Sequence, residues 1–374
     1  MTSRTHRHQP RCHFVPPYVL DRLVRSDVED VRAAAQATAH QASADRESRT
    51  DQVVTMGQVA ASTGLSEMGA ALVEAAGEPD REVFDCHNLA QKRVELVRSE
   101  GAAPTGDDDV DSAYDCAGVT LDYLKQELGR NSIDNLGMNL GLNVHYGVRY
   151  MNAFWDGEEM VFGDGDGQIF VGFARSLDVT AHELGHGVTQ FTANLDYFSQ
   201  SGALNEHFSD AFGTVVTQFQ SGETAGTADW LIGDEIMGPS LRGEALRSMR
   251  APGTAYDNPL MGTDPQPAHM DDYYDGFADN QGVHINSGIP NRAFYLVATE
   301  LDDTLAAGRL WYRALQRLTP TATFAVAAEV LVNTARLMTG EGNLPKGTAQ
   351  IVRAAFSEVG ILKLDVAPGI RRYR

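Results

Sequence analysis

Positions 180–187 read Thr-Ala-His-Glu-Leu-Gly-His-Gly, and the spacing His182-Glu183-x-x-His186 within them constrains the fold more than any other feature. Side chains four residues apart share one face only where the backbone is helical. A helix is therefore required here, presenting two imidazoles to one point with Glu183 close beside them. A second requirement comes from Asn205-Glu206-His207-Phe208-Ser209-Asp210 downstream. Glu206, on a following helical segment, can supply a carboxylate oxygen to the same point. Two His, one Glu and a fourth position open to water describe a catalytic zinc site rather than a structural one.

An isolated HExxH is a common accident of sequence, so its company matters. Glu183 is the natural general base, because a carboxylate beside an acidified water can take its proton and return it to a leaving amine. Asp210 lies one helical turn beyond Glu206 and is placed to orient a ligand imidazole through the ring nitrogen that does not face the metal. The block Asp279-Asn280-Gln281-Gly282-Val283-His284-Ile285-Asn286-Ser287-Gly288 continues to Asn291 and Tyr295. In it His284 stands just before a helix start, with Asp279 five residues upstream. A His with a carboxylate partner can be held protonated and can stabilise an oxyanion.

A chain of 374 residues is long for one core, so two lobes and an extension are expected. The formal charge of −21 repels nucleic acid and anionic membrane, and neither is expected as a partner. No run of roughly 18 apolar residues occurs, which argues against a transmembrane helix. The basic amino-terminal stretch lacks the roughly 7–15-residue apolar core of a signal peptide. A cytoplasmic location or secretion by a non-classical route is therefore expected. The cysteines Cys12, Cys86 and Cys116 are odd in number and sparse. Free, inert thiols are the simpler reading, with a Cys86–Cys116 bridge left open.

Three stretches differ in texture. Residues 1–50 form an appended segment, with the apolar block Phe14-Val15-Pro16-Pro17-Tyr18-Val19-Leu20 followed by a polar helical pattern ending near Asp51. Residues 51–177 form the first lobe, opening on a small, Ala/Gly-rich stretch. From Arg81 to Phe173 short apolar runs between turn residues predict strands, among them Val144–Tyr150 and Glu159–Phe162. A helix interrupts them over Ala113–Leu128. Gly163-Asp164-Gly165-Asp166-Gly167 lacks the rest of an EF-hand loop and reads as a tight hairpin turn. Residues 178–374 are helical almost throughout, with helices expected over 178–194, 203–220, 289–302, 310–317, 324–338 and 349–359. The long Pro/Gly/Asp/Tyr-rich loop from Met249 to Gln281 is of a length more often functional than accidental.

From about Arg81 onward the chain resembles the thermolysin family of zinc metallopeptidases. Asn152-Ala153-Phe154-Trp155, the Gly163–Gly167 run, His182–His186, Gly202-Ala203-Leu204-Asn205-Glu206 and His284-Ile285-Asn286-Ser287-Gly288 all fall in family order. The resemblance implies an α+β fold of two lobes, β-rich then α-helical, with the HExxH helix along the floor of the cleft between them. It implies His182, His186 and Glu206 as zinc ligands and Glu183 as base. It further implies Tyr197 and His284 as stabilisers of the tetrahedral intermediate, with Asp279 pairing His284. Asn152 and the Ala153 carbonyl would hold the substrate backbone, and Arg247 the substrate carbonyl. Phe170, Phe173, Val179, Ile236 and Leu246 would form an apolar pocket for the residue after the cut. Calcium is implied at Asp178, Asp229 and Asp234. Thr217 stands where relatives with a double calcium site have a further glutamate, and the loss of a hard oxygen ligand lowers affinity.

The front segment, with Pro16-Pro17-Tyr18 and Val19-Leu20-Asp21-Arg22, is similar to the short propeptide of the protealysin subgroup. That similarity implies a latent precursor whose own N-terminal segment is an intramolecular inhibitor. Thiolates bind zinc well, so Cys12 could approach the metal as a blocker, but a bystander thiol is the simpler reading. The other partners expected are peptide or protein substrates, with a separate protein inhibitor left open, and the chain is expected to be a monomer. Two rivals stand beside the endopeptidase. A binding protein that has lost turnover conflicts with the filled catalytic positions, and an aminopeptidase would need an α-amine-capturing motif that is not evident.

Overall fold

The structure is a computed structural model that describes residues 13–49 and 77–363. Cys12, the Ala/Gly-rich stretch up to residue 76 and the expected boundary at residue 50 lie outside the described residues.

The segment at the front folds as two helices, α1 (Pro17–Leu23) and α2 (Glu29–Arg49). Pro17 suits the first turn of α1, where its missing N–H costs no hydrogen bond. On α2 the buried positions Val31, Ala34, Ala35, Thr38 and Ala42 recur at helical spacing. That face docks on the first lobe, where Thr38 Oγ accepts the Met151 amide at 3.0 Å. Gln41 also donates to the Tyr146 hydroxyl at 3.3 Å.

The first lobe is built on β1 (Arg81–Asp85), β2 (Glu95–Arg98), β3 (Leu140–Val144), β4 (Ala153–Trp155) and β5 (Glu159–Phe162). Their order is β2-β1-β3-β5-β4, with β1–β3 and β3–β5 parallel and the two outer pairs antiparallel. Helix α3 (Asp108–Leu128) packs on this sheet and starts earlier than the apolar stripe suggested. Asp107 caps it by accepting the amides of Asp109 and Val110, and acids in the first turn complement the helix dipole.

Two expectations for this lobe are corrected. The strand expected over Val144–Tyr150 stops at Val144, because His145, Gly147 and Arg149 adopt left-handed φ of 53°, 70° and 51°. The Gly163–Gly167 run is not a hairpin turn; the hairpin is β4–β5, earlier in the chain. The run instead folds back under the Tyr150 carbonyl, which accepts the Gly165 amide at 3.0 Å. Asp166 then gathers the amides of Gln168, Ile169 and Phe170.

The second lobe comprises α4 (Leu177–Gln190), α5 (Ser199–Ser221), the short pair β6 (Leu231–Ile232) and β7 (Arg247–Ser248), then α6 (Ala278–Asn286), α7 (Gly288–Leu301), α8 (Thr304–Leu315), α9 (Phe324–Gly340) and α10 (Thr348–Glu358). Helix α8 begins at Thr304, ahead of the expected 310, because Asp303 accepts the Ala306 amide as its cap. Residues 178–189 of α4 are all buried, so this helix is the shared floor of both lobes. Glycines set its distance from α5. A Cβ on Gly185 would stand 3.2 Å from the Ser209 Cα, and one on Gly213 2.9 Å from the Asp178 carbonyl oxygen. Among the described residues no helix is long and apolar enough to cross a membrane.

One apolar cluster runs through both lobes and includes Phe14, Val15, Val19, Leu20 and Leu23 of the front segment. Cys86 and Cys116 are free, and burial pushes both thiols up to about 12. Inert thiols, not a bridge, are what the structure has.

His145 ties three segments together. Its Nδ1 lies 2.9 Å from Asp164 in the glycine run, and its Nε2 3.3 Å from Asp107 at the start of α3. The hydrogen bond to Asp164 is the main cause of a pKa raised to about 9, with Asp107 and Asp85 adding to it and burial opposing. The folded value lies above the unfolded one of about 6.5, so the contribution is complete below that pH and fades as pH climbs through about 9. Urea midpoints of wild type and His145→Gln should therefore converge between neutral pH and pH 9. Curves that stay parallel would remove His145 as a charged staple.

Candidate active site

Helix α4 places His182 and His186 one turn apart, and their Nε2 atoms face each other at 3.0 Å. Glu206, on the facing side of α5, brings Oε2 to 3.6 Å from His182 Nε2 and Oε1 to 3.6 Å from His186 Nε2. The outward ring nitrogens are committed elsewhere. His182 Nδ1 stands 2.9 Å from Asp210 Oδ1. His186 Nδ1 stands 2.8 Å from Asn205 Oδ1, and the Asn205 amide nitrogen donates to the Leu195 carbonyl, which fixes its orientation. Both Nδ1 atoms face acceptors and carry the protons, so two bare Nε2 lone pairs point at a carboxylate in a buried space. Such an arrangement is repulsive without a cation and fits zinc, whose ligands must be deprotonated.

The electrostatics agree. Burial depresses His186 to about 3. Burial alone would raise Glu206, but His284, His186, His182 and Arg247 overcome it and hold the carboxyl at about 2. Among the described residues one other group, Asp107, Asp109 and His145, brings three such ligand atoms together. There Asp109 is already paired with Arg175 at 2.6 Å and Asp107 caps α3.

Around the triad stand the other expected residues. One Glu183 oxygen accepts the Trp155 amide of β4 at 2.8 Å, which aims the buried carboxylate into the cleft. Tyr197 donates its hydroxyl to Glu206 and lies 3.2 Å from His284 Nε2. His284 Nδ1 is 2.6 Å from Asp279 Oδ1, and its backbone amide donates to Asp279 Oδ2 at 2.8 Å. Burial opposes the charged ring, but Asp279 and Glu206 outweigh it and raise His284 to about 9. His284 follows a left-handed run from Asp279 to Gly282, φ 50° to 76°, that turns Asp279 back onto it, and α7 begins four residues further on, at Gly288.

The cleft is filled by the front segment. The Phe14 amide donates to the Ala153 carbonyl at 3.0 Å. The Val15 amide donates to Asn152 Oδ1 at 2.8 Å, and Asn152 Nδ2 returns a bond to the Val15 carbonyl at 3.2 Å. Arg247 Nη1 donates to the Phe14 carbonyl at 3.3 Å, and the His13 carbonyl sits 3.1 Å from His284 Nε2. The Phe14 ring is fully buried, edge-on to His182 at 5.1 Å between centroids. Phe170, Phe173, Val179, Ile236 and Leu246 are buried in the same apolar cluster.

Asp210 does more than sequence reasoning assigned to it, since it also takes the Arg247 guanidinium and the Asn291 amide. Asn205, Asn291 and Ser209, whose hydroxyl lies 3.0 Å from His186 Nδ1, were missed. Asn205 and Ser209 lie inside the Glu206 motif and Asn291 follows His284, but only the crossing of the helices reveals their partners. The acids proposed for calcium do not converge as the triad does. Asp178 is spent on the Ser176 hydroxyl and the Gly233 amide. Thr217 turns its hydroxyl back to the Gly213 carbonyl at 3.1 Å.

Known proteins place this geometry. Residues 71–190 match the family described as thermolysin metallopeptidase, catalytic domain, and residues 193–361 its alpha-helical domain. An "Extracellular metalloprotease" of Pectobacterium carotovorum subsp. carotovorum is 45% identical over 309 residues, 82% of this chain and 85% of that one. "Protease PrtS" of Photorhabdus sp. (strain Az29) is 45% identical over 287 residues, 75% of this chain and 76% of its own. The solved "Precursor of Protealysin, Metalloproteinase from Serratia proteamaculans" superposes with a TM-score of 0.81 at 43% identity, covering 94% of this chain and 100% of that one. The chain thus belongs to the thermolysin family of metallopeptidases, as a metalloendopeptidase made as a precursor.

Proposed function

We propose that this chain cuts peptide bonds on the amino side of large hydrophobic residues, and that its own N-terminal segment keeps it latent by occupying the cleft. What carries the reading is the seating of His13–Val15. Their backbone uses Ala153, Asn152, Arg247 and His284, the groups a peptide substrate would need, while the Phe14 ring fills the space beside His182. A substrate must displace that segment before it can bind.

Held by His182, His186 and Glu206, zinc would supply a Lewis acid that polarises the scissile carbonyl and acidifies a water. Glu183, aimed by the Trp155 amide, would take the proton from that water and pass it to the leaving amine. Tyr197 and His284 would donate to the developing oxyanion, with Asp279 keeping the His284 ring oriented and protonated. Asn152 and Ala153 would hold the peptide backbone and Arg247 a carbonyl. The side chain after the cut would enter the pocket of Phe170, Phe173, Val179, Ile236 and Leu246, where burial is worth ~1.5–3 kcal/mol.

Calcium belongs to the proposal only as a stabiliser of the Asp178, Asp229 and Asp234 patch. Burial, then Asp178 and Asp229, push Asp234 up to about 6, a repulsion that a cation would relieve. Calcium should raise the melting temperature of wild type more than that of Asp234→Asn. Equal responses would remove it from the reading.

Intact mass and zinc content of wild type beside Glu183→Ala, each given a peptide with an internal Leu or Phe, test the chemistry. Wild type should shed its front segment and cut before the hydrophobic residue, while the variant stays full length, holds one zinc and leaves the peptide whole. Equal activity in the two would discard Glu183 as the base.

Latency has its own test. Removing a fully buried Phe ring typically costs about 3–5 kcal/mol. Phe14→Ala should therefore lose the segment several-fold sooner in a mass-spectrometric time course. An unchanged rate would mean that Phe14 is not the anchor.

A further inference from the structure

We propose that His207, Asn291 and Trp311 are positioning residues of the metal centre, forming a hydrogen-bond chain of fixed polarity that holds Asp210 in place and, through it, the ring of His182. The inference rests on reading His182, His186 and Glu206 as zinc ligands and extends outward from them.

The direction of each bond follows from what each group can do. Trp311 Nε1 lies 2.7 Å from His207 Nε2, and an indole N–H can only donate. His207 Nε2 must therefore be the bare nitrogen, and the ring proton resides on Nδ1. That nitrogen is 2.7 Å from Asn291 Oδ1, which accepts it. With its oxygen so engaged, Asn291 turns its amide nitrogen toward Asp210 and donates to Oδ2 at 2.9 Å. The amide has no freedom to flip, because the reverse orientation would face two donors with each other. Asp210 can only accept. Arg247 supplies donors at 2.8–3.1 Å, and Asp210 Oδ1 stands 2.9 Å from His182 Nδ1. His182 must then carry its proton on Nδ1 and present Nε2 to His186 and Glu206.

Burial gives the chain its force. His207, Asn291, Trp311, Asp210 and His182 are each at most 2% exposed, so no bulk water competes for these bonds. An unpartnered polar atom in such a place is costly, which keeps every link in one state. The chain also crosses the fold, from Trp311 on α8 through Asn291 on α7 and His207 and Asp210 on α5 to His182 on α4. The packing of the helical lobe is thereby coupled to the orientation of a ligand. His207 is adjacent to Glu206 on α5 but points away from the triad, so its contribution reaches the metal only through Asn291 and Asp210.

The test uses the full-length, zinc-loaded chain, so it needs no turnover. Trp311→Phe keeps an aromatic ring and removes the donor, and Asn291→Leu breaks the middle link. Phe294→Leu is the packing control, since its ring touches Trp311 at 4.9 Å between centroids but carries no polar atom. Outer contacts of this kind are typically worth about 10–100-fold in metal affinity. Both polar variants should lose zinc to a chelator roughly tenfold faster and shift the visible spectrum of the cobalt-substituted protein. Phe294→Leu should lower the melting temperature and leave both readouts at wild-type values. Wild-type zinc release and spectra in the polar variants, or equal changes in the control, would overturn the proposal. If a variant fails to fold, nitrogen-15 spectra of wild type decide, since a proton on His207 Nε2 contradicts the chain outright. If wild type takes up no zinc that His182→Ala abolishes, the ligand assignment fails and the inference falls with it.

Discussion

Two imidazole nitrogens 3.0 Å apart, both facing one carboxylate in a dry interior, form an arrangement that a cation between them would stabilise. Much of the second lobe can be understood as the means of enforcing that meeting. Gly185 and Gly213 let α4 and α5 approach closely enough for Glu206 to reach across. Asn205 and Asp210, on the same helix as Glu206, occupy the outward nitrogens of the two rings. A single helix thus carries Glu206 and the groups that face the outward nitrogens of both rings. This explains why the motif Asn205–Asp210 is so compact.

The same dry interior accounts for the way the front segment binds. Ala153 and Asn152 stand at the start of β4, and Arg247 begins β7. Each has a backbone or side-chain polar group that must find a partner once water is excluded. In the precursor those partners are the backbone groups of Phe14 and Val15. The segment therefore satisfies the cleft as well as blocking it, and the apolar residues of α1 extend the anchor into the common core. The hold of the segment on the cleft depends on the summed fit of a few backbone bonds and one buried ring.

Legibility from sequence tracked the range of the interaction. The meeting of His182, His186 and Glu206, the place of Glu183 and the Asp279–His284 pair were readable because each is encoded in a local spacing or a family motif. Helix α4 was readable for the same reason. The interior of α8 was readable but its start was not, since Asp303 caps it through a polar side chain that no apolar stripe reveals. The false strand after Val144 arose because apolar residues there looked regular while the backbone turned left-handed at His145, Gly147 and Arg149. Asn291 and His207 could not be assigned at all. Their partners are 84 and 104 residues distant in the chain, and nothing local distinguishes a buried relay from an ordinary polar side chain.

The left-handed run at Asp279, Asn280 and Gln281 shows where the fold accepts strain for the sake of geometry. Each such residue costs roughly 1–2 kcal/mol relative to a right-handed one. A regular helix through this segment would point Asp279 away from the His284 ring, because side chains five positions apart lie on different faces. The reversed turn brings both carboxylate oxygens onto His284, one on the ring and one on the backbone amide. The ring can then keep its charge in a buried place beside Glu206, which burial alone would not permit. Gly282 ends the run where a Cβ would stand 2.6 Å from the Tyr274 ring, so the strain is confined to the few residues that aim the carboxylate. Backbone distortion held in place by surrounding packing is characteristic of functional sites. Here its product is a single oriented, charged imidazole facing the cleft.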